Sequence, residues 1–506
     1  MSNFLYLVTF IGGMVSLALE LAAGRLLAPA FGTSELVWSA IIGMILLYFA
    51  IGYVVGGRWA DRSPQPQTLY TILLAASVTI ALIPLISRPA LTLAARGMAA
   101  LNALQVGGPL LAVLILFIAP VTLLACVSPF VIRLAMTDLG AAGMTSGKIY
   151  ALSTLGSFVG TFLPNLVLIP ALGTRRTFLL LALITLLPGI VGLWRSARRR
   201  ARVGVLLALA IVLLASTDAG PIKPQARLIY EEESTYNYIQ VLEGEQGTRF
   251  LLLNEGQGIH SVYNPKTLLT GGTWDYFLIA PYFNPPPQTP EQVRSLLVIG
   301  SAAGTIPRQY TAIYGPIPID GVEIDPAIVR VGRDYFDMTE PNLHVAEMDG
   351  RTFLAQTTAR YDVVAVDAYR LPYIPWHLTT VEFFQEIRQV LTERGVVAIN
   401  AGHTPDDWRI VEALVATLKQ VYPSVHVIAV PDTFNAIIVA TVQETSAANF
   451  DANRRLLRDP LLARVAERAA ANLVTVAPGG MVFTDDRAPV ELLTDALVLR
   501  YVLGTP

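Results

Sequence analysis

The sequence predicts an α-helical transmembrane module, then a small β unit, then an α/β doubly wound domain of the Rossmann-like kind. Three observations carry that prediction. Mean hydropathy over the 506 residues is +0.53 with only 15% charged residues, and the apolar excess lies almost wholly before residue 217, so the two parts of the chain belong in different solvents. From residue 294 onward, short apolar strands alternate with helical patterns, the pattern of βαβ units around a mainly parallel sheet. Finally, the run Leu297-Val-Ile-Gly300-Ser301-Ala-Ala-Gly304 breaks from a buried strand into a small-residue turn, and Gly321-Val-Glu323-Ile-Asp325 comes next as a second strand ending in acids. A tight glycine turn lets backbone approach a ligand, and an acid at the next strand tip accepts both hydroxyls of a ribose.

In the first half, residues 4–24, 36–56, 69–86, 109–127, 149–169 and 177–194 each approach the roughly 20 residues that cross a hydrocarbon core. Residues 203–216 form a seventh, shorter apolar run that reads as an interfacial helix. The first segment lacks a basic leader and a small-residue cleavage site, and reads as a retained helix. Between residues 195 and 202 lies a run of five arginines, the mark of a cytoplasmic juxtamembrane anchor. Six spans plus the interfacial helix leave that run and the C-terminal domain on the cytoplasmic face of an inner or cell membrane. Glu20 and Arg25 are read either as groups near a helix end reaching the interface or as a pair lining a cavity. Small residues at 153, 156, 157 and 160 form one face suited to close helix packing. With one cysteine, Cys126, no disulfide or cysteine-rich metal framework forms within a chain, and a net charge of −2 gives no footprint for nucleic acid.

The expected boundaries are 1–217 for the helical module, 218–227 for a Gly/Pro linker, 228–290 for the β unit and 291–506 for the doubly wound domain. Residues 238–241 and 249–254 alternate around a Gly-containing turn as a hairpin. Strands are expected at 296–299, 318–323, 361–366 and 394–400, helices at 326–337, 380–392 and 407–420, and an edge strand at 435–441. The strand preceding Asp349-Gly350 and the strand ending at Asp367 add two more carboxylates at the sheet edge where ligands of open α/β folds sit. The sixteen-odd residues between turn and acid suit an S-adenosyl nucleoside better than a dinucleotide. Tyr373, Trp376 and His377 lie beyond them in a Pro-bracketed loop, with aromatic faces suited to covering an aliphatic or cationic acceptor.

These residues resemble spermidine synthases, the polyamine aminopropyltransferases, and the chain as a whole resembles membrane proteins that fuse a multi-span module to such a domain. The matching runs are Glu233-Ser-Thr-Tyr236-Asn237, the turn from Gly300 through Ser301 to Gly304, Val322-Glu323-Ile-Asp325-Pro326, Asp349-Gly350-Arg-Thr-Phe-Leu354, the stretch from Asp367 through Phe384, and Arg394-Gly395-Val-Val-Ala-Ile-Asn400. The resemblance implies a methyltransferase-like Rossmann fold, Glu323 on the ribose, Asp349 on the adenine, Asn237 on the cofactor tail, and Asp367 as the acid that orients and deprotonates an attacking amine. It places Tyr236, His260, Asp275, Tyr369, Arg370, Tyr373, Trp376 and His377 on the acceptor side. Two positions depart from the family pattern. An acid of the glycine turn is Ala303 here, and a second acid three residues after the catalytic one is Arg370. That loss of negative charge disfavours a dication in the usual pose. Asp275, Glu255 and Asp325 remain as candidates to restore it.

The expected activity is transfer of an aminopropyl group from decarboxylated S-adenosylmethionine to an amine. An alternative is methyl or alkyl transfer from S-adenosylmethionine itself to an amphipathic acceptor, with Arg370 pairing the methionyl carboxylate. Another is a polyamine or nucleoside transporter or sensor without turnover. The expected partners are a polyamine or other small amine and the lipid bilayer, with a homodimer as an option and neither metal nor nucleic acid.

Overall fold

The computed structural model describes residues 2–503 apart from 33, 100–103, 137–139, 141, 218–219, 221–222, 224, 255, 257 and 370–372. The chain divides into two compact units, Met1–Pro224 with Glu232–Tyr238, and Gln225–Glu231 with Ile239–Pro506.

The first unit is helical. Its elements are α1 (Ser2–Phe31), α2 (Glu35–Arg62), α3 (Pro66–Ala99), α4 (Leu104–Ala125), α5 (Val127–Ala135), α6 (Ala142–Leu163), α7 (Ile169–Ser196) and α8 (Arg198–Ser216). Ser34 starts α2 by accepting from the Val37 amide at 3.3 Å, a side-chain N-cap. Five helical stretches among the described residues are long and apolar enough to cross a membrane: Asn3–Phe31, Glu35–Arg62, Pro66–Ala94, Gly107–Ala135 and Ala142–Trp194. The last is 53 residues long and corresponds to the two separate segments expected from the sequence. A π-helical turn at Pro164–Leu168 and a left-handed Gly173 (φ 78°) interrupt it without ending it, so the helical ladder is relaxed and not cut. The small-residue face on α6 packs against α1 at backbone distance. A Cβ on Gly156 would lie 2.0 Å from the Phe10 carbonyl oxygen, and one on Gly160 2.0 Å from that of Met14. Such contact lets dispersion and weak C–H···O interactions hold two helices without polar groups.

The second unit contains two sheets. The smaller is β1 (Leu228–Glu233), β2 (Tyr238–Glu243), β3 (Arg249–Leu253) and β4 (Ile259–Tyr263), in that order. The expected hairpin is β2–β3, with Ile239 opposite Leu253. The larger sheet contains β5 (Leu296–Ile299), β6 (Ile319–Glu323), β7 (Leu343–Glu347), β8 (Tyr361–Val366), β9 (Leu391–Gly402), β10 (Ser424–Ala429), β11 (Asn435–Thr441) and β12 (Leu473–Val474). Its order is β12-β10-β11-β9-β8-β5-β6-β7. The run β9-β8-β5-β6-β7 is parallel, whereas β11 pairs antiparallel with both β9 and β10. This corrects the expectation that residues 435–441 form an edge. All but the first residue of β11 are buried, a continuous apolar run that belongs in the sheet interior.

Helices succeed the parallel strands: α9 (Thr305–Tyr314), α10 (Pro326–Tyr335), α11 (Gly350–Gln356), α12 (Val381–Val390) and α13 (Arg409–Leu418). Then come α14 (Ala447–Arg454), α15 (Pro460–Ala471) and α16 (Val490–Leu503). Strand alternation sorts the core onto two faces. Val364 and Val366 of β8 meet α11, α12, α13 and α16, while Val363 and Ala365 meet the 3₁₀ segment Thr273–Phe283 with α9, α14 and α15. Covered on both faces, the sheet exposes only its strand ends.

The α1–α6 contact gives a direct test. Gly160→Ala should destabilise full-length protein in detergent by about 1–3 kcal/mol through overpacking, although the helix-propensity gain alone favours Ala by roughly 1 kcal/mol. Gly57→Ala meets nothing within 4 Å, and thermal unfolding should show it neutral or stabilised.

Candidate active site

The carboxyl ends of β7, β6, β5, β8 and β9 lie side by side in register: Glu323 with Glu347, Ile299 with both Val322 and Val366, and Val366 with Ile399. At strand spacings of about 4.8 Å, the acids at the β6 and β8 tips flank β5 about 10 Å apart, backbone to backbone. At the centre, Gly300 has φ 84°, and a Cβ there would lie 2.6 Å from backbone atoms of Asp367 and Ala368. Only glycine lets β5 turn against the β8 tip. The amides of Gly300 and Ser301 both donate to the Val322 carbonyl (2.9 and 3.0 Å), and Gly304, also left-handed at φ 87°, opens α9. Ser301 is buried, and its Oγ has no hydrogen-bond partner among the described residues.

Glu323 is 7% exposed. One carboxylate oxygen accepts from the Ala302 amide at 3.0 Å, the other from the Asp325 amide at 3.1 Å. Burial pushes its carboxyl up to about 7, more than those donors can offset. Each oxygen retains a lone pair for a ligand hydroxyl. Asp325 itself caps α10 by accepting from Ala327 at 3.0 Å. Asp349 caps α11, its Oδ1 accepting from the amides of Arg351 (2.9 Å) and Thr352 (3.1 Å), while Oδ2 lies 2.9 Å from His377 Nε2. Burial acts to raise the Asp349 carboxyl, but the His377 bond and the two amides outweigh it and hold it below the ordinary range. A Cβ on Gly350 would lie 2.5 Å from Ile299, so close packing of α11 on β5 needs the glycine.

Asp367 is tied to β5 by its amide, which donates to Ile299 at 2.9 Å. Its Oδ1 accepts from Asn400 Nδ2 at 2.9 Å, and the Trp274 side chain donates a second bond. Asn400 is oriented in turn, its Oδ1 accepting from Asn435 Nδ2 at 2.9 Å and its carbonyl from Tyr369 Oη at 3.3 Å. Although the side chain keeps some surface in the crevice, desolvation dominates and lifts Asp367 to about 7 despite both donors. An acid–base group poised there suits proton transfer at neutral pH. Trp274, Asn400 and Asn435 are the functional residues that sequence reading missed as such, although Asn400 closed one of the recognised motifs.

A model of the spermine/spermidine synthase domain matches residues 284–453. A probable polyamine aminopropyl transferase of Bifidobacterium longum is 31% identical over 307 residues, covering 56% of this chain and 67% of that one. The chain belongs to the spermidine synthase family. Polyamine aminopropyltransferase 1 of Streptomyces coelicolor is 24% identical over 393 residues, covering 71% of this chain and 70% of its own. That alignment takes in more of the chain than the second unit holds, so it reaches into the helical unit. A crystal structure of a probable spermidine synthase from Corynebacterium glutamicum aligns at 21% identity and TM-score 0.40, over 51% of this chain and all of that one. The protein is thus a transferase enzyme of spermidine synthase type, with an S-adenosyl compound as the implied co-substrate.

The remaining expected site residues of this family member fall in several places. Asp275 is buried and saturated: Thr270 and Gln309 donate to Oδ1 and Gly271 to Oδ2, so it fastens a turn and offers little to an acceptor. His260 sits on β4 with its Nε2 buried and without a partner among the described residues, and burial lowers it to about 4, so it is neutral at pH 7. Tyr236 and Asn237 belong to the first unit, where their amides donate to Ser234 Oγ at 3.1 and 2.8 Å. Arg370 and Glu255 lie outside the described residues. At the β8 tip, Tyr373 is 9% exposed and Trp376 46% exposed. His377 faces Asp349, and not only an acceptor.

Glu323→Ala should weaken methylthioadenosine binding to the full-length enzyme by about 1–3 kcal/mol, the scale of a charge-assisted hydrogen bond. Calorimetry checks this, and unchanged affinity would remove Glu323 from the site.

Proposed function

We propose that this chain is a membrane-integrated aminopropyltransferase that moves the aminopropyl group of decarboxylated S-adenosylmethionine to an amine. The single observation that carries this reading is Asp367: held by Asn400 and Trp274, lifted to about 7, and set one strand from the glycine turn. The lone pair of the acceptor amine attacks the aminopropyl carbon bound to sulfur. The C–S bond breaks, its electrons return to sulfur, and the nucleoside leaves as a neutral thioether that needs no acid. The proton lost by nitrogen passes to Asp367. Glu323 takes the ribose hydroxyls and Asp349 the adenine amino group, holding the sulfonium for in-line attack. The resemblance assigns Asn237 to the cofactor tail.

A second reading has support in two departures from the family pattern, Ala303 and Arg370. With Asp275 saturated as well, negative charge around the tail is sparse, which suits intact S-adenosylmethionine and a methyl or alkyl transfer. The thioether product separates the two: methylthioadenosine for aminopropyl transfer, S-adenosylhomocysteine for methyl transfer. Neither product, on incubation with both nucleosides and a panel of amines, would contradict both.

The helical unit we read as a membrane anchor that keeps the transferase on the cytoplasmic face. Its arginine run beside α8 supports that side.

Asp367→Asn should lower the chemical step by roughly 10²–10⁴ while leaving nucleoside affinity within a factor of about two. Single-turnover kinetics and calorimetry on the same preparation check both halves.

A further inference from the structure

The match to the spermine/spermidine synthase domain ends at residue 453, yet the C-terminal segment beyond that residue returns to the carboxyl edge of the sheet. Helix α16 buries Val490, Thr494 and Leu497, which accounts for its attachment. Its polar and aromatic contacts need a separate account, because they go to three different loops at that one edge. Tyr373 Oη, six residues after Asp367, donates to Asp495 Oδ1 at 2.5 Å. Arg500 Nη1 lies 3.8 Å from Asp407 Oδ2, seven residues after Asn400. The Tyr501 ring meets Phe434, the neighbour of Asn435, edge-on at 5.1 Å. Asp367, Asn400 and Asn435 are the three members of the hydrogen-bonded relay behind the base, and α16 grips the loop beside each.

The turn before α16 grips a fourth point. Asp485 accepts from Thr380 Oγ1 at 2.7 Å and from Arg351, whose guanidinium also spans Glu386, while the Asp485 amide donates to Glu382 at 3.0 Å. The loop carrying Tyr373, Trp376 and His377 is therefore pinned at both ends by the C-terminal segment, and at its middle by the bond between His377 and Asp349.

We infer that the segment from Asp485 to Tyr501 is a clamp that fixes the acceptor-side loops against the catalytic base, with Asp495 and Arg500 as positioning residues. The inference rests on the transferase reading above. The Tyr373–Asp495 bond is the stronger hold, being short and charge-assisted with Tyr373 buried. Half-exposed Arg500 contributes less, and Asp407 already has Arg409 at 2.6 Å. A clamp of this kind acts on how the acceptor is held and not on the nucleoside, whose contacts lie one and two strands away at Glu323 and Asp349.

The experiment uses full-length protein in detergent, comparing wild type with Asp495→Asn, Tyr373→Phe, their double variant and Arg500→Ala. Each single change at the Tyr373–Asp495 bond should raise the acceptor KM about tenfold with kcat within about twofold, and the double variant should be no worse than either. Methylthioadenosine affinity should stay within about twofold, amide exchange across residues 373–380 should quicken, and Arg500→Ala should give a smaller change of the same sign. An acceptor KM and an exchange rate both unchanged in Asp495→Asn would overturn the clamp. So would a uniform loss of nucleoside affinity and thermal stability, which marks a merely structural helix. If wild type turned over no amine, the transferase reading would fall, and the exchange comparison would still decide whether α16 holds the loop.

Discussion

A carboxylate leaves water only at a cost that fixed donors must offset, and the active site of this protein is arranged around two that do so. Glu323 and Asp367 sit at the tips of the strands on either side of β5, and burial lifts both to about 7. The donors that make such burial tolerable come from backbone and side chains whose positions the sheet dictates: the Ala302 and Asp325 amides for one, Asn400 and Trp274 for the other. Gly300 is the hinge of this arrangement, since any side chain there would strike the backbone of Asp367 and Ala368.

Three acids of the same crevice are given different tasks by their surroundings alone. Asp349, with two amides and His377 around it, is held in its charged form and suits a permanent hydrogen-bond acceptor. Asp367, with less compensation for greater desolvation, is left able to take and release a proton near neutrality. Separating the acidities of neighbouring groups in this way is how one site supplies both a fixed anion and a base. Cooperation between them runs through the loop after β8, because His377 on that loop touches Asp349 while Tyr373 on it is held by Asp495.

Much of this was readable in the chain because local rules govern it. The break from apolar strand to glycine turn, the acids closing the next strands and the hairpin of β2 and β3 each arise from a few consecutive residues. The features that escaped depend on pairings between distant segments. Trp274 meets Asp367 across 93 positions, and Asn435 reaches the relay only because β11 runs antiparallel beside β9, a register that apolar pattern cannot distinguish from an edge. Asp275 looked available because sequence shows a charge but not the Thr270, Gly271 and Gln309 donors that consume it. In the helical unit the apolar runs were legible, while the left-handed Gly173, which interrupts a helix without ending it, was not.

The central claim is that burial makes Asp367 a base for neutral pH, and the most direct measurement is the ratio of single-turnover rates of wild type and Asp367→Asn as a function of pH. Desolvation disfavours the charged form, so the acid is protonated below its raised value and becomes a base above it. Taking the ratio cancels the titration of the acceptor amine and of every other group the two proteins share. The account predicts a ratio that rises with pH through about 7 and is level above it. A ratio constant from about pH 5 to 9, as for a carboxylate in the ordinary range near 4, would contradict it.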